Sequence, residues 1–103
     1  MSEATIREEY LASFCFASEG DPRDELVRLA SFAASVESAF LHWEIVYALV
    51  EKDRARTAAL SQTLWGTKNL RVIVVKDDTN FYRRRAIAVS EAIGDVVVLT
   101  AFA

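Results

Sequence analysis

Four short apolar runs, each separated from the next by a longer stretch with helical spacing, limit what this chain can fold into. The runs are "YLASFCFA" (Tyr10–Ala17), "WEIVYALV" (Trp43–Val50), "LRVIVV" (Leu70–Val75) and "VVVLTA" (Val96–Ala101). Each is short and rich in β-branched, aromatic or other apolar residues, and each reads as a buried strand. After the first run, Leu26, Leu29, Ala30, Ala33, Val36 and Phe40 recur three or four residues apart. That spacing predicts a helix from Pro22 to about Phe40, with one face buried. Its start is well marked. Asp21 suits the N-cap, Pro22 the first helical position, and Asp24 and Glu25 the positive end of the helix dipole. After the second run, Asp53 is placed to cap a helix through "RARTAALSQTLW", with Ala55, Leu60 and Leu64 on one side and Gly66 as its stop. A third helix, "FYRRRAIAVSEAIG", is expected to bury Tyr82, Ala86, Val89 and Ile93 and to end at Gly94.

The resulting order is β-α-β-α-β-α-β. Strands apolar on both faces and separated by helices imply a mostly parallel four-stranded sheet with right-handed crossovers. The expected architecture is therefore a three-layer α/β/α, Rossmann-like domain spanning residues 1–103, with three helices and no internal repeat or linker. Periodicity does not specify the strand order. Four strands and three helices leave a sheet edge and part of a face uncovered, which invites pairing with another chain. A homo-oligomer joined through the last strand or the exposed face is expected.

Composition narrows the function classes. About half of the 103 residues are hydrophobic and a quarter are charged, a globular rather than disordered profile. No apolar run approaches the roughly 18 residues of a membrane helix. The start, "MSEATIREEY", is charged and has no apolar core of a secretory signal, so a cytoplasmic location is expected. One cysteine and one histidine offer neither an internal disulfide nor a zinc-ligand set. A net charge of −3 argues against general nucleic-acid binding, which depends on neutralising phosphates.

In a parallel sheet of this kind, chemistry sits in the loops that follow the strands. Here those loops are "SEGD", "EKDR" and "KDDTNFY", which would gather Glu19, Asp21, Glu51, Asp53, Asp77 and Asp78 along one edge. Such carboxylates suit a metal or a base and ribose. The plainer alternative makes Asp21 and Asp53 helix caps and the rest solvated charges. The chain has no G-x-G-x-x-G and no G-x-x-x-x-G-K-[ST], which excludes the usual dinucleotide and P-loop cradles. His42 falls at the opposite edge and supports no catalytic triad. Cys15 reads as a small buried hydrophobe, and Trp43, Trp65, Phe14 and Phe16 as core or interface filling. Arg83, Arg84 and Arg85 open the third helix, where cations oppose the dipole and a bound phosphate would relieve them. Alternatively the three arginines reach solvent or pair with Asp77 and Asp78.

This order of features resembles the nucleotide-binding half of family 2 glycosyltransferases, of the GT-A type. The stretch "NFYRRRAIAVSEAIGDVVVLTAFA" carries the resemblance best. Asn80 falls near the family's Asn, Arg85 on its Arg, and Ala92, Gly94 and Asp95 on its closing Ala-x-Gly-Asp. "EIVYALVEKDRARTAAL" is similar to the second strand and following helix of the family. The resemblance implies a nucleotide or nucleotide-sugar ligand, with contacts expected from Glu19, Glu51 and Arg85 by position and from Asp77 of the acidic loop cluster.

The departures fall on functional positions. "ASEG" keeps only Glu19 for the acidic residue after the first strand, and "VEKD" replaces Asp-Asp-Gly-Ser, leaving Glu51 as a substitute. Phe81 and Tyr82 stand where the family has a small residue, and Ala86 and Ala88 replace the Asn and Gly of the third helix. Ala101-Phe102-Ala103 occupies the place of Asp-x-Asp, the motif that holds a divalent metal against the sugar-nucleotide diphosphate. The acceptor half, with its catalytic base, has no counterpart here. No catalytic residue, metal ligand or cofactor is therefore expected from this chain, unless a manganese or magnesium site is supplied elsewhere. Three readings stand: a catalytically incomplete glycosyltransferase-like nucleotide binder, a piece of an active enzyme, and an interaction domain that has lost its ligand. A flavodoxin-like or receiver-type domain ordinarily has five strands and five helices, more than this chain supplies.

Overall fold

Strand alternation decides how the layers assemble. The computed structural model of the protein describes residues 10–55, 57–58, 69–100 and 102. Strands β1 (Leu11–Ala17), β2 (His42–Val50), β3 (Leu70–Val75) and β4 (Val96–Leu99) form one sheet in the order β3-β2-β1-β4. All three pairings are parallel, with Phe14 opposite Ile45 and Val98, and Tyr47 opposite Val72. Parallel neighbours need crossovers. Helices α1 (Pro22–Ala39), α2 (helical residues 51–55 and 57–58) and α3 (Phe81–Glu91) provide them. The result is the expected Rossmann-like α/β fold with three helices.

One set of alternate strand residues faces α1. Phe14 and Phe16 of β1 and Trp43, Ile45, Tyr47 and Leu49 of β2 pack against Leu26, Leu29, Ala33 and Val36. Phe14 meets Phe32 and Phe40 edge to face, with ring centroids 5.3 and 5.6 Å apart. Fully burying a leucine such as Leu26 or Leu29 contributes about 1.5–3 kcal/mol each. The other set, Cys15, Val46 and Ala48, meets Ala88 of α3. Burial pushes the Cys15 thiol up to about 11, so it remains protonated at neutral pH.

The α1 cap forms as expected: Asp21 accepts from the Arg23 amide at 3.0 Å, and Pro22 opens the helix. In α2 the helix is already formed at residue 51. Asp53 therefore sits within the first turn, where its carbonyl accepts from the Thr57 hydroxyl at 2.9 Å, and not at the N-cap. Leu60, Leu64, Trp65 and Gly66 lie outside the described residues.

Helix α3 departs from expectation in its rotation. Ala88 is its fully buried residue, whereas Tyr82 is 76% exposed and Ile93 69%. Small side chains let the helix approach the sheet closely, and Ala92 packs beside the same cluster. The bulkier stripe is left on the outside. β4 is likewise more exposed than its apolar sequence suggests, because it is an outer strand.

The turn between α3 and β4 is fixed by a buried polar group. Glu44 accepts from Ser13 Oγ at 2.5 Å, Arg71 Nε at 2.9 Å and the Ile93 amide at 3.0 Å. Arg71 also donates to the Glu91 carbonyl. Gly94 donates to Ser13 Oγ at 2.9 Å, and a Cβ there would lie 2.4 Å from that oxygen and 2.7 Å from the Leu11 carbonyl. Glycine serves close approach here. It is not the helix stop, since α3 ends at Glu91. Among the described residues no helix is long and apolar enough to cross a membrane.

Candidate functional site at the carboxyl edge

The strand order places a switch point between β1 and β4. The chain leaves β1 for α1 on one face, whereas β4 is reached through α3 on the other, and a crevice opens beyond the strand ends. That crevice, of about 620 Å³, is lined by Glu19, Gly20, Asp21, Asp24, Glu25 and Arg28, together with Phe102.

Glu25 organises it. The α1 start puts its side chain under the β1–α1 loop, and the residue is buried. Its carboxylate accepts from the amides of Glu19 at 3.0 Å and Gly20 at 3.1 Å, and from the Tyr47 hydroxyl at 2.7 Å. Burial, reinforced by that carboxylate, holds the Tyr47 phenol far above its ordinary value, so it stays protonated and donates to Glu25. Glu19 in turn accepts from the Phe102 amide at 3.2 Å, tying the segment after β4 to the first loop. The Phe102 ring packs on Phe16 and Tyr47.

A second crevice of about 340 Å³ adjoins the first, sharing Glu19, Gly20 and Asp21 with it. Its other walls include Ser18, Lys52, Asp53, Asp77 and Arg84. Asp77 accepts from the Lys52 amide at 2.8 Å, joining the first turn of α2 to the loop after β3. Arg84 reaches from α3 to the Ser18 carbonyl through Nε (3.2 Å) and a terminal nitrogen (2.6 Å), and to the Thr79 carbonyl at 2.5 Å. Asn80 caps α3 by accepting from the Arg83 amide at 2.9 Å.

Of the four residues singled out in the sequence, Glu19 and Asp77 meet in this second crevice. Glu51 stands beside it, exposed and paired with Arg54 at 3.5 Å, but does not line it. Arg85 is turned elsewhere. It lies in a groove with Tyr82, Ala86, Val89 and Leu99, its guanidinium 5.3 Å from the Phe81 ring, and its buried Nε has no hydrogen-bond partner. The arginine at the carboxyl edge is Arg84. Three consecutive arginines carry no signal that picks the middle one; only the rotation of α3 does. Glu25 was legible as a helix-start acid but not as the anchor of the loop.

Electrostatics sort the two ends of the site. The start of α1 is already supplied with anions, because Asp21 takes the Arg23 amide and Glu25 the loop amides. A phosphate is disfavoured there; in the second crevice Lys52 and Arg84 are the cations, set among Glu19, Asp21, Asp53 and Asp77, and hydroxyl and amino donors suit Glu19 and Asp77. Among the described residues no three His, Cys, Asp or Glu side chains group to hold a metal ion. The divalent metal implied by the resemblance does not fit positions 101–103: Ala101 and Ala103 have no oxygen ligand, and Phe102 is packed on aromatic neighbours. Comparison with protein-family models, curated proteins and solved structures finds no match.

Proposed function

We propose that this chain is a cytoplasmic, glycosyltransferase-like nucleotide-sugar-binding module of the family 2 type, not catalytic by itself. The observation that carries the reading is the shared crevice at the carboxyl edge, where Glu19 and Asp77 stand with Lys52 and Arg84 beside the switch point. Glu19 and Asp77 accept from base and ribose donors, and Lys52 and Arg84 are the cations available to a phosphate, among the four carboxylates Glu19, Asp21, Asp53 and Asp77. Binding is independent of divalent metal, and Arg84 takes the part that the resemblance assigns to Arg85. The module acts as a homo-oligomer, since β4 leaves one side of the sheet open among the described residues.

Calorimetric titration with UDP, GDP and their sugar conjugates, with and without manganese, tests the ligand. Heat with a millimolar or tighter dissociation constant, little changed by manganese, supports the reading. No heat and no thermal shift at millimolar ligand leaves the alternative, an interaction domain without a nucleotide.

A further inference from the structure

Among the described residues β4 pairs with β1 alone. An open edge presents unpaired N–H and C=O groups, which proteins usually blunt with charge, proline or a covering element. Val96, Val97, Val98 and Leu99 supply neither charge nor proline. Helix α3 rests mainly on β1 and β2, leaving Val97 43% and Leu99 46% exposed. Leu99 joins Tyr82, Ala86 and Val89 along an apolar groove of about 370 Å³. Arg85 lines that groove too, its guanidinium 5.3 Å from the Phe81 ring and its buried Nε without a hydrogen-bond partner, so the seam must leave its charged end to solvent.

We infer that two copies of this chain join edge to edge, β4 antiparallel to β4, into one eight-stranded sheet. Tyr82 and Leu99 of each copy close the seam. An antiparallel two-fold pairing is self-complementary, so each open backbone group meets its equivalent's partner. Complete covering of the exposed parts of Tyr82, Val89, Val96, Val97 and Leu99 would remove at most roughly 500 Å² per copy, about 1,000 Å² for the pair, which is the lower bound of a specific interface. The inference rests on the homo-oligomeric part of the reading above and is independent of the nucleotide.

Light scattering across a micromolar concentration series tests it, with circular dichroism as the folding control. The wild type is expected at twice the 11.5 kDa of one chain. Leu99→Arg and Tyr82→Arg are each expected to raise the dimer dissociation constant at least tenfold. Val27→Arg, at an exposed apolar residue of α1, should leave it unchanged. If Leu99→Arg fails to fold, Tyr82→Arg decides, because that side chain is on the outside of α3. A monomeric wild type overturns both the oligomer and the surface. A dimer that survives the β4 and α3 variants, or is lost in Val27→Arg, overturns the surface alone.

Discussion

The hydroxyl of Tyr47 donates to Glu25 at 2.7 Å, both residues buried, and this bond links the centre of the sheet to the loop that shapes the site. Glu25 also holds the Glu19 and Gly20 amides, so one carboxylate serves three donors from two elements. Tyr47→Phe removes one donor to a buried charge and is expected to destabilise by about 1.5–3 kcal/mol. Glu25→Leu strands two loop amides as well and should cost more. Urea denaturation of both variants checks the order; a neutral Tyr47→Phe would show that the bond does not anchor the loop.

Gly94 supports a prediction from space alone. Gly94→Ala puts a methyl 2.4 Å from Ser13 Oγ and 2.7 Å from the Leu11 carbonyl, and overpacking of this kind costs about 1–3 kcal/mol. Adding Ser13→Ala should not restore stability, because the backbone clash remains and Glu44 loses a donor. Thermal melts of the single and double variants provide the measurement.

Glu44 determines part of the acid response. Burial alone would raise its carboxyl, but hydrogen bonds from Ser13, the Ile93 amide and Arg71 outweigh that and hold it below the ordinary 4.5. The unfolded chain therefore binds the proton first as pH falls. The stability from Glu44 is fully present above the ordinary carboxyl range and is lost as pH drops from about 4.5 through the lower folded value. Glu44→Gln should be less stable than wild type at pH 7 and should show a shallower loss between about pH 5 and 3. Denaturation midpoints across that range test this. Parallel slopes would mean that other carboxylates set the acid limb.

The two adjacent arginines separate binding from surface. Arg84→Ala removes a cation from the crevice and is expected to weaken nucleotide binding about tenfold, near 1.4 kcal/mol. Arg85→Ala, in the α3–β4 groove, should leave the affinity unchanged. Equal losses in calorimetry would return the role to Arg85. Because Arg84 also holds the Ser18 and Thr79 carbonyls, Arg84→Lys is a useful companion, keeping charge but not the bridging geometry.

The sequence specified periodic features well and rotational ones poorly. β3 has the expected bounds, and α1 ends one residue before the expected Phe40, because its cap chemistry and apolar spacing agree. For α3 two faces competed. The larger residues Tyr82, Val89 and Ile93 suggested one, but close packing on Cys15, Val46 and Ala48 selected Ala88 instead. That rotation also exchanged Arg85 for Arg84 at the carboxyl edge. Glu19 and Asp77 were legible because strand ends fix where loops emerge. The pairing of Glu25 with Tyr47, 22 residues apart, depends on helix α1 folding back over β2, which no local pattern encodes.

The most direct test of the account compares wild type with Glu19→Ala in titrations of UDP, GDP and their sugar conjugates, with EDTA present throughout. Saturable binding by the wild type without metal is expected, with at least tenfold weaker binding by Glu19→Ala. Binding that appears only when manganese is added, or that is unchanged in Glu19→Ala, would contradict it.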